Sequence, residues 1–407
     1  MQPNTNQLRL VVFSSIVITL GLIILFALNI RNIIDARPEE FSKDTMLRAL
    51  WHQYKNNYLE PGTLRSLDKQ QNDITTSEGQ SYTMLRAVWM DDKETFDTTW
   101  QWTKDNLQRD DDLLISWLFG EREDGEYGVL TEQGGNNTAS DADEDIALAL
   151  LFASKRWNDE AYFGDAIGII RDIWAEEVVI INGKPYLAAN NLEKSTNKST
   201  IIVNPSYLSP YTYKVFAKAD PDHNWLGLAE TSYDVAARSI ELDLDTNASA
   251  HLPPDWVLLD RNTGEMYAPD PSSGLTTRFS FDALRLPWRF ALDYSLTKDP
   301  RAKAVLDKIG HLQQEWNTRG SLTASYSHDG NRLIDLEALS MYGGSLGYFM
   351  VTNPSMAHEI YINKLERLYD TNESKWSKEQ SYYDENWGWF GMALYLQKTP
   401  DLYGVNN

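Results

Sequence analysis

The chain has 407 residues, of which 42% are hydrophobic and 24% charged, a balance typical of a folded protein with a sizeable core. Acidic residues outnumber basic ones by 59 to 37, and the formal net charge of -22 argues against nucleic acid as a partner, because phosphate backbones would repel it. Cysteine is absent, which excludes disulfides and thiolate metal sites, and the six histidines form no HExxH pair. We therefore predict no metal site and no cofactor.

The N-terminal segment differs in composition from the rest of the chain. Its stretch "LVVFSSIVITLGLIILFALNI", from Leu10 to Ile30, carries no charge and is long enough to span a hydrocarbon core of roughly 30 Å. The end of this stretch and the two residues after it, "FALNIRN", offer no small-x-small cleavage site for a signal peptidase. We predict an uncleaved membrane anchor in residues 1–36, with one transmembrane helix at about 10–30, and a separate body in residues 37–407. Arg9 precedes the span while Arg31 and Arg37 follow it, so basic charges leave its orientation open.

Amphipathic helical spacing recurs through the body. It appears, for example, in "MLRALWHQYKNNYL", "DAIGIIRDIWAEEVV", "FSFDALRLPWRFALDYSL" and "WGWFGMALYL", and we also predict a helix in "LLISWLF", after Asp110 to Asp112. Two stretches instead predict β-hairpins: "VVIINGKPYLAA", with Asn182 and Gly183 at the turn, and "DWVLLDRNTGEMYA". The body is therefore predicted to be an all-α barrel of helical hairpins with small β-hairpin insertions.

The acidic stretch "ASDADEDIALALLFASKRW", residues 139 to 157, begins one of these helices. Ser140 is a good N-cap, and acids in a first turn complement the helix dipole by roughly 0.3–1 kcal/mol each. Capping therefore explains this charge without any function. A calcium-loop interpretation fails, because Ile146 and Phe152 stand where such a loop needs Gly and Glu.

Two further stretches place carboxylates near helix starts. In "TTSEGQSYTMLRAVWM", Ser77 and Gln80 fit a capping box, and Glu78 lies in the first turn beside Gly79, which leaves room for an approaching group. In "FSFDALRLPWRF", Asp282 and Arg285 share a helical face at i, i+3 spacing. A carboxylate in such apolar company is costly to bury unless it is paired or used, so a structural ion pair and a functional role both stay open.

Together the three stretches resemble glycoside hydrolase family 8, the inverting endoglucanases. The acidic stretch matches the family signature at every diagnostic position, "SEGQSYTML" resembles the acid motif, with Thr83 where Gly is common, and "FDALRLPWR" resembles the base motif. A further block, "NPSYLSPYTYKVFA", occurs in the matching order, and the resemblance runs from about Leu47 to Tyr395. It implies an (α/α)6 barrel with a groove across one end.

By position, the resemblance implies a role for each polar residue. Glu78 would be the general acid, Asp282 the general base, Asp141 the residue that positions the sugar at the cleavage point, and Arg285 a substrate-binding residue that orients the carboxylates.

Sugar subsites need flat aromatic faces. We predict substrate contacts at Tyr207, Tyr211, Trp89 and Trp225, and the wider set of candidates adds Trp117, Trp256, Trp288 and Trp387. Tyr207 is the best of them because it stands in a family block at a loop-to-helix start, whereas aromatic residues within helices are ordinarily core.

The expected activity is hydrolysis of β-1,4-glycosidic bonds by an inverting endo-β-1,4-glucanase, acting on cellulose or a secreted exopolysaccharide. Alternatives are a xylanase or chitosanase of the same family, an inactive glycan-binding scaffold, and an α/α-barrel lyase. The anchor places the catalytic body at a membrane, and a polysaccharide substrate places it on the extracytoplasmic side. A polysaccharide synthase is then a conceivable partner.

Overall fold

A computed structural model describes residues 43–195 and 197–405. The transmembrane helix predicted at about residues 10–30, and the predicted boundary after residue 36, both lie outside the described residues. Within the described ranges, no helix combines the length and the apolar character needed to cross a bilayer. The chain divides into two compact units, Met1–Ala49 and Leu50–Asn407, and the fold below is that of the second unit.

The structure is built mainly from helices. They are α1 (43–58), α2 (Ser77–Met90), α3 (Lys93–Asn106), α4 (Ser140–Arg156), α5 (Glu160–Glu176), α6 (Pro210–Ala219), α7 (Trp225–Glu241), α8 (Arg285–Thr297), α9 (Pro300–Leu306), α10 (His311–Arg319), α11 (Leu339–Thr352), α12 (Pro354–Ile360) and α13 (Tyr382–Tyr395).

Six helices form an inner ring in the order α2, α4, α6, α8, α11 and α13, each packed against the next. The ring closes between α13 and α2, where Trp387 Nε1 donates to the Tyr82 hydroxyl at 3.2 Å and Arg86 Nη1 donates to Asn386 Oδ1 at 3.0 Å. Helices α3, α5, α7, α9 and α12 pack outside α2, α4, α6, α8 and α11. The part of α1 from Leu50 onward packs outside α2 and α13, as the contacts of Tyr54 with Thr83 and of Asn57 with Glu385 show. The predicted barrel of helical hairpins is confirmed.

Helices α11 and α13 approach each other closely in the inner ring. A Cβ atom at Gly343 would collide with the carbonyl oxygen of Trp387, and one at Gly391 would collide with the backbone of Gly343. Glycine at these two positions therefore lets the two backbones touch. The first turns of the same helices also meet, because the Ser340 N–H donates to Asp384 Oδ1 at 2.8 Å.

Short strands lie in the connections between the helices. They are β1 (Thr75–Thr76), β2 (Leu118–Glu121), β3 (Tyr127–Val129), β4 (Val178–Ile181), β5 (Lys184–Leu187), β6 (Thr200–Val203), β7 (Val257–Asp260), β8 (Met266–Tyr267), β9 (Tyr369–Asp370) and β10 (Lys375–Trp376). They pair antiparallel in the orders β1-β2-β3, β4-β5, β6-β7-β8 and β9-β10.

Both predicted hairpins are confirmed. In β4-β5, Ile181 pairs with Lys184, and the two turn residues Asn182 and Gly183 have φ of 51° and 77°, as a tight turn of this hand requires. In β7-β8 the turn ends at Gly264, with φ of 73°. Strand β6 adds to this second hairpin as a third strand.

The helix predicted in "LLISWLF" is wrong. Leu118 begins strand β2, and Asp112 stabilises the preceding loop by pairing with Arg109 at 3.0 Å and accepting the Leu114 N–H at 3.0 Å. A short apolar run does not by itself distinguish a strand from a helix, and here the pairing with Thr76 in β1 decides.

Candidate active site

Three carboxylates meet around one guanidinium. Arg285 is the first residue of α8 and is buried. Its Nη1 donates to Asp141 Oδ2 at 3.0 Å and also to Glu78 Oε2, while its Nη2 donates to Asp282 Oδ1. Its Nε donates to Ser206 Oγ at 3.2 Å. The structure thus brings together the four polar residues that the three sequence stretches single out.

Glu78 lies in the first turn of α2, directly after strand β1. The N-cap is Thr76, whose hydroxyl accepts the Gly79 N–H at 3.0 Å, so the prediction that Ser77 caps this helix is wrong. The Ser77 N–H donates to the carbonyl of Trp117, the residue just before strand β2, at 3.0 Å. The Glu78 side chain is 23% exposed, which leaves it reachable from solvent.

The predicted capping box is also wrong. Gln80 Oε1 accepts the Ser66 N–H at 2.7 Å, and Gln80 Nε2 donates to Thr103 Oγ1 at 2.8 Å. This side chain therefore ties α2 to a loop and to α3 rather than closing a cap. The space beside Gly79 is taken as well, because Ser66 and Tyr382 fill the position of its missing Cβ. No opening for a substrate remains there.

Asp141 lies in the first turn of α4. The N-cap position is Ala139, without a side-chain cap, and Ser140 Oγ donates to the Ala188 carbonyl at 2.8 Å, so the prediction that Ser140 caps α4 is wrong. Because the Ser140 hydroxyl is bound to a carbonyl outside the helix, it does not accept an N–H from the first turn of α4.

The acids of the first two turns of α4 form no solvated cap, since every one of them is buried, namely Asp141, Asp143, Glu144 and Asp145. Buried charges need partners. Asp141 has Arg285, and Asp145 has Arg289 at 2.8 Å. Within the described residues, Asp143 accepts only the Ile115 N–H at 2.9 Å, and burial raises the pKa of Asp143 and of Glu144 well above the usual range, which favours their neutral forms.

Asp282 stands in the turn before α8, and its side chain is 32% exposed. The predicted ion pair with Arg285 is present, although the helix begins three residues later than the spacing suggested.

Buried Asp255 holds this turn: its Oδ1 accepts the Ala283 N–H at 2.8 Å, and its Oδ2 accepts the Ser280 hydroxyl at 2.5 Å. Burial raises the pKa of Asp255 to about 7, and the nearby charge of Asp282 adds to the effect. Sequence reasoning missed this residue.

The protonation of Glu78 is set by opposing effects. A helix N-terminus favours the anion. Burial nevertheless raises the pKa of Glu78 to about 7; the Arg285 guanidinium opposes the rise, and the negative charges of Asp141 and Asp282 reinforce it. Burial also raises the pKa of Asp141, against the lowering influence of Arg285 and Arg289. Glu78 can therefore carry a proton near neutral pH while remaining partly exposed.

Among the predicted aromatic residues, Tyr207 joins this cluster. The Arg285 guanidinium lies 5.0 Å from its ring centroid, and Trp256 packs edge-on against it at 5.8 Å. Trp117 is half-buried on the approach to β2, with its indole N–H donating to the Gly134 carbonyl at 2.9 Å.

The other three predicted substrate-contact residues do not join the cluster. Trp89, Tyr211 and Trp225 are buried. The Tyr211 hydroxyl donates to Asp401 at 2.8 Å, and the Trp225 indole donates to Asp220 at 3.0 Å. Trp288 and Trp387, from the wider set, are buried too. A buried ring offers no face to a sugar in this conformation, so among the four predicted substrate-contact aromatics only Tyr207 can present one.

Two tyrosines at the cluster had no role in the sequence reasoning. The Tyr383 hydroxyl donates to the Phe281 carbonyl, next to Asp282, and the Tyr82 hydroxyl lies 3.5 Å from Arg285 Nη1. Both stand in the first two turns of inner helices, where their spacing resembles that of core residues. Within the described residues, no cluster of histidines and carboxylates is arranged to hold a metal ion.

Comparison with known proteins agrees with this geometry. The sequence profile of "Glycosyl hydrolases family 8" matches residues 40–394. The chain belongs to glycosyl hydrolase family 8. It is therefore a glycosidase, and the residues around Arg285 are the candidate active site of a family 8 enzyme.

Individual relatives match over most of the chain. It is 30% identical to Endoglucanase 2 of Ruminiclostridium josui over 90% of this chain and 74% of that protein. It is 28% identical to Endoglucanase A of Acetivibrio thermocellus over 86% of this chain and 67% of that protein. The fold of the endo-1,4-D-glucanase from Vibrio fischeri ES114 is similar, with a TM-score of 0.70 at 24% identity over 85% of this chain and 94% of that one.

Proposed function

We propose that the protein hydrolyses internal β-1,4 bonds of a glucan with inversion at the anomeric carbon. One observation carries the proposal: Arg285 joins Glu78, Asp141 and Asp282 in one cluster, at the point where α2, α4 and α8 begin. Glu78 and Asp282 bind different nitrogens of this guanidinium, and both side chains are partly exposed, so a sugar and a water can reach them from solvent.

Glu78 is the proposed general acid. A general acid must hold its proton at the working pH, and a pKa near 7 meets this need. In the reaction, the Glu78 proton passes to the glycosidic oxygen as the bond from that oxygen to the anomeric carbon breaks. The leaving sugar therefore departs as a neutral alcohol.

Asp282 is the proposed general base. It accepts one proton from a water whose oxygen attacks the anomeric carbon from the opposite face. Its 32% exposure admits that water, and Arg285 holds its carboxylate in place. After product release, solvent takes the proton from Asp282 and returns one to Glu78. The inverting geometry needs about 6.5–9.5 Å between the two carboxyls, which a bound sugar and water would fill.

Asp141 and Tyr207 are the proposed sugar-positioning residues. Arg285 binds Oδ2 of Asp141, and we assign its other oxygen, Oδ1, to a hydroxyl of the sugar at the cleavage point. Tyr207 presents a ring held between Arg285 and Trp256.

The polymer is proposed to be cellulose or a related β-1,4-glucan, because the similar proteins are named as endoglucanases. The test is reducing-sugar release from a panel of cellulose derivatives, mixed-linkage glucan, xylan and chitosan, with Glu78→Gln as the inactive control. A rapid fall in viscosity marks internal cleavage, and NMR of fresh product should show the α anomer first.

The other outcomes are distinct. Preference for xylan or chitosan would reassign the polymer, and unsaturated product ends would indicate a lyase. Binding without any release would indicate a glycan-binding scaffold.

We further propose that residues 10–30 anchor the protein in a membrane with its catalytic body on the extracytoplasmic side. The uncharged 21-residue run supports this, since it matches the thickness of a bilayer core. The full chain should stay in membranes after a carbonate wash, and added protease should degrade its body without lysis. Leu20→Lys with Ile24→Lys should release it, because each central lysine costs roughly 2.5–3.5 kcal/mol. Co-purification with a polysaccharide synthase from the same membranes tests the suggested partnership.

A further inference from the structure

We propose that the protein has a second glucan-binding site, the side cleft, on the outer face of the β1-β2-β3 sheet. This cleft has a volume of about 400 Å³, and its lining includes Glu60, Arg65, Asp73, Trp102, Phe119 and Tyr127. None of these residues belongs to the cluster around Arg285. The proposal rests on the proposed function, since the ligand is the same polymer.

The walls of the side cleft are aromatic. Tyr127 on β3 is 50% exposed, and Trp102 on α3 is half-buried. Phe119 forms the floor, with its ring centroid 5.0 Å from that of Trp102 and 6.4 Å from that of Tyr127. Within the described part of the chain, the Trp102 indole N–H and the Tyr127 hydroxyl have no hydrogen-bond partner. A ring face with a free polar edge is the surface that a sugar ring and its hydroxyls fit.

Arg65 fixes these rings in place. Its guanidinium lies 5.3 Å from the Tyr127 centroid and 5.7 Å from the Phe119 centroid. The guanidinium is itself held by Glu60 at 3.0 Å and by the Thr75 hydroxyl at 2.9 Å, and it is buried. Because Arg65 covers one face of Tyr127, the exposed part of that ring is its other face. A pre-fixed aromatic platform loses little side-chain entropy when it binds.

The rim of the side cleft supplies polar groups. The Asp73 carboxylate is exposed and has no partner among the described residues, so it is free to accept sugar hydroxyls. Asp73 also has φ of 56°, and Leu64 in the same loop has φ of 53°. Left-handed backbone at a residue such as leucine is strained, and strain of this kind persists where the surroundings fix the loop. The loop therefore presents Asp73 in a defined position.

The side cleft and the active site adjoin the same strand without sharing residues. Thr75, which accepts the bond from Arg65, stands in β1, and Glu78 follows in the first turn of α2. A neutral chain fits the side cleft better than an anionic one, because Arg65 neutralises only Glu60 and the exposed Asp73 carboxylate leaves a negative charge at the rim. A glucan held there keeps the polymer close to the catalytic cluster.

The test is affinity electrophoresis in native gels that contain hydroxyethyl cellulose, with Glu78→Gln in every protein so that the polymer stays intact. Tyr127→Ala removes an exposed ring, and Trp102→Ala removes the opposite wall. We expect the double variant to bind the polymer on the order of tenfold more weakly. The matched control is Tyr267→Ala, which removes another exposed tyrosine, on β8, and should leave the retardation unchanged.

Kinetics separate this proposal from the proposed function. With Glu78 intact, Tyr127→Ala should raise KM for the polymer without changing kcat, and should leave hydrolysis of cellopentaose unchanged. Absence of hydrolysis by the unmodified protein would refute the proposed function, whereas the gel would still report on the side cleft. Unchanged retardation of both Tyr127→Ala and the folded double variant would overturn the second site.

Discussion

Arg289 and Asp145 form a buried bidentate ion pair, with nitrogen–oxygen distances of 2.8 and 2.9 Å. Each lies four residues, about one helical turn, further along its helix than Arg285 and Asp141. Helices α4 and α8 are therefore joined by two stacked arginine–carboxylate pairs, and the deeper pair supports the one at the candidate active site.

Loss of the deeper pair should destabilise the fold. Asp145→Ala leaves the buried Arg289 charge without its partner, and breaking such a pair typically costs about 3–5 kcal/mol. Urea denaturation should show this loss in the free energy of unfolding. The control is Asp234→Ala, which breaks the exposed pair with Arg238 and should cost about 1 kcal/mol or less. Equal losses in the two variants would contradict the supporting role of Asp145.

Replacing Asp141 with Asn should shift the pH profile of hydrolysis. The negative charge of Asp141 helps to raise the pKa of Glu78, so its removal lowers that pKa. Glu78 then loses its proton at lower pH, and the alkaline limb of kcat/KM should move downward while turnover falls. Arg285→Met should move the same limb upward, because the guanidinium opposes the rise. An unmoved limb in an active Asp141→Asn variant would refute this coupling.

Replacement of Asp255 should reduce the rate of hydrolysis by displacing Asp282. Asp255→Asn keeps one acceptor for the Ala283 N–H but loses the carboxylate that binds both Ser280 and Ala283, so the turn that carries Asp282 should shift. Misplacing a catalytic group can cost on the order of a hundredfold in rate, so kcat should fall steeply with little change in KM. Azide, which attacks without a base, should restore turnover. A thermally stable variant with unchanged kcat would show that the turn holds without Asp255.

Glu177 makes stability depend on pH. It is buried, accepts the Thr138 hydroxyl at 2.5 Å, and burial raises its pKa to about 8. Asp143 Oδ2 and Glu177 Oε2 both lack a donor unless one of the two carboxyls keeps its proton. Because the folded state holds this proton more tightly than the unfolded state, the stabilisation is complete at acid pH and is lost as pH rises towards about 8.

Glu177→Gln should remove this dependence. The amide keeps an acceptor for Thr138 and offers a permanent donor to Asp143. The melting temperature should therefore exceed that of the unmodified protein at pH 9, by on the order of a few degrees, with a smaller difference at pH 5. A variant that is less stable than the unmodified protein at pH 9 would rule out the shared proton.

The sequence predicted the elements whose determinants are local. The hairpin turn at Asn182 and Gly183 follows from two neighbouring residues, and the pairing of Asp282 with Arg285 follows from their spacing. The predicted cap at Ser77 is wrong because Thr76, extended in strand β1, takes the cap position and accepts the Gly79 N–H. The predicted cap at Ser140 is wrong because the Ser140 hydroxyl donates to the distant Ala188 carbonyl.

The other features that the sequence did not predict also depend on contacts between residues far apart in the chain. Asp255 acts on a turn 28 residues later in the chain, a contact that no periodic pattern contains. Strand β1 is only two residues long and forms only beside β2. The sequence does not distinguish the buried Trp89 and Trp225 from Tyr207, because an aromatic residue has the same sequence appearance whether its ring faces a groove or the core.

The most direct test of the central claim compares Glu78→Gln and Asp282→Asn on two substrates, a soluble β-1,4-glucan and an aryl cellotrioside with a dinitrophenolate leaving group. The activated substrate needs no proton from an acid, whereas both substrates need a base to activate water. Glu78→Gln should therefore lose about 10²–10⁴-fold on the glucan while keeping most of its activity on the aryl substrate, and Asp282→Asn should lose both. Equal losses of Glu78→Gln on the two substrates, or glucan hydrolysis that survives in Glu78→Gln, would contradict the assignment.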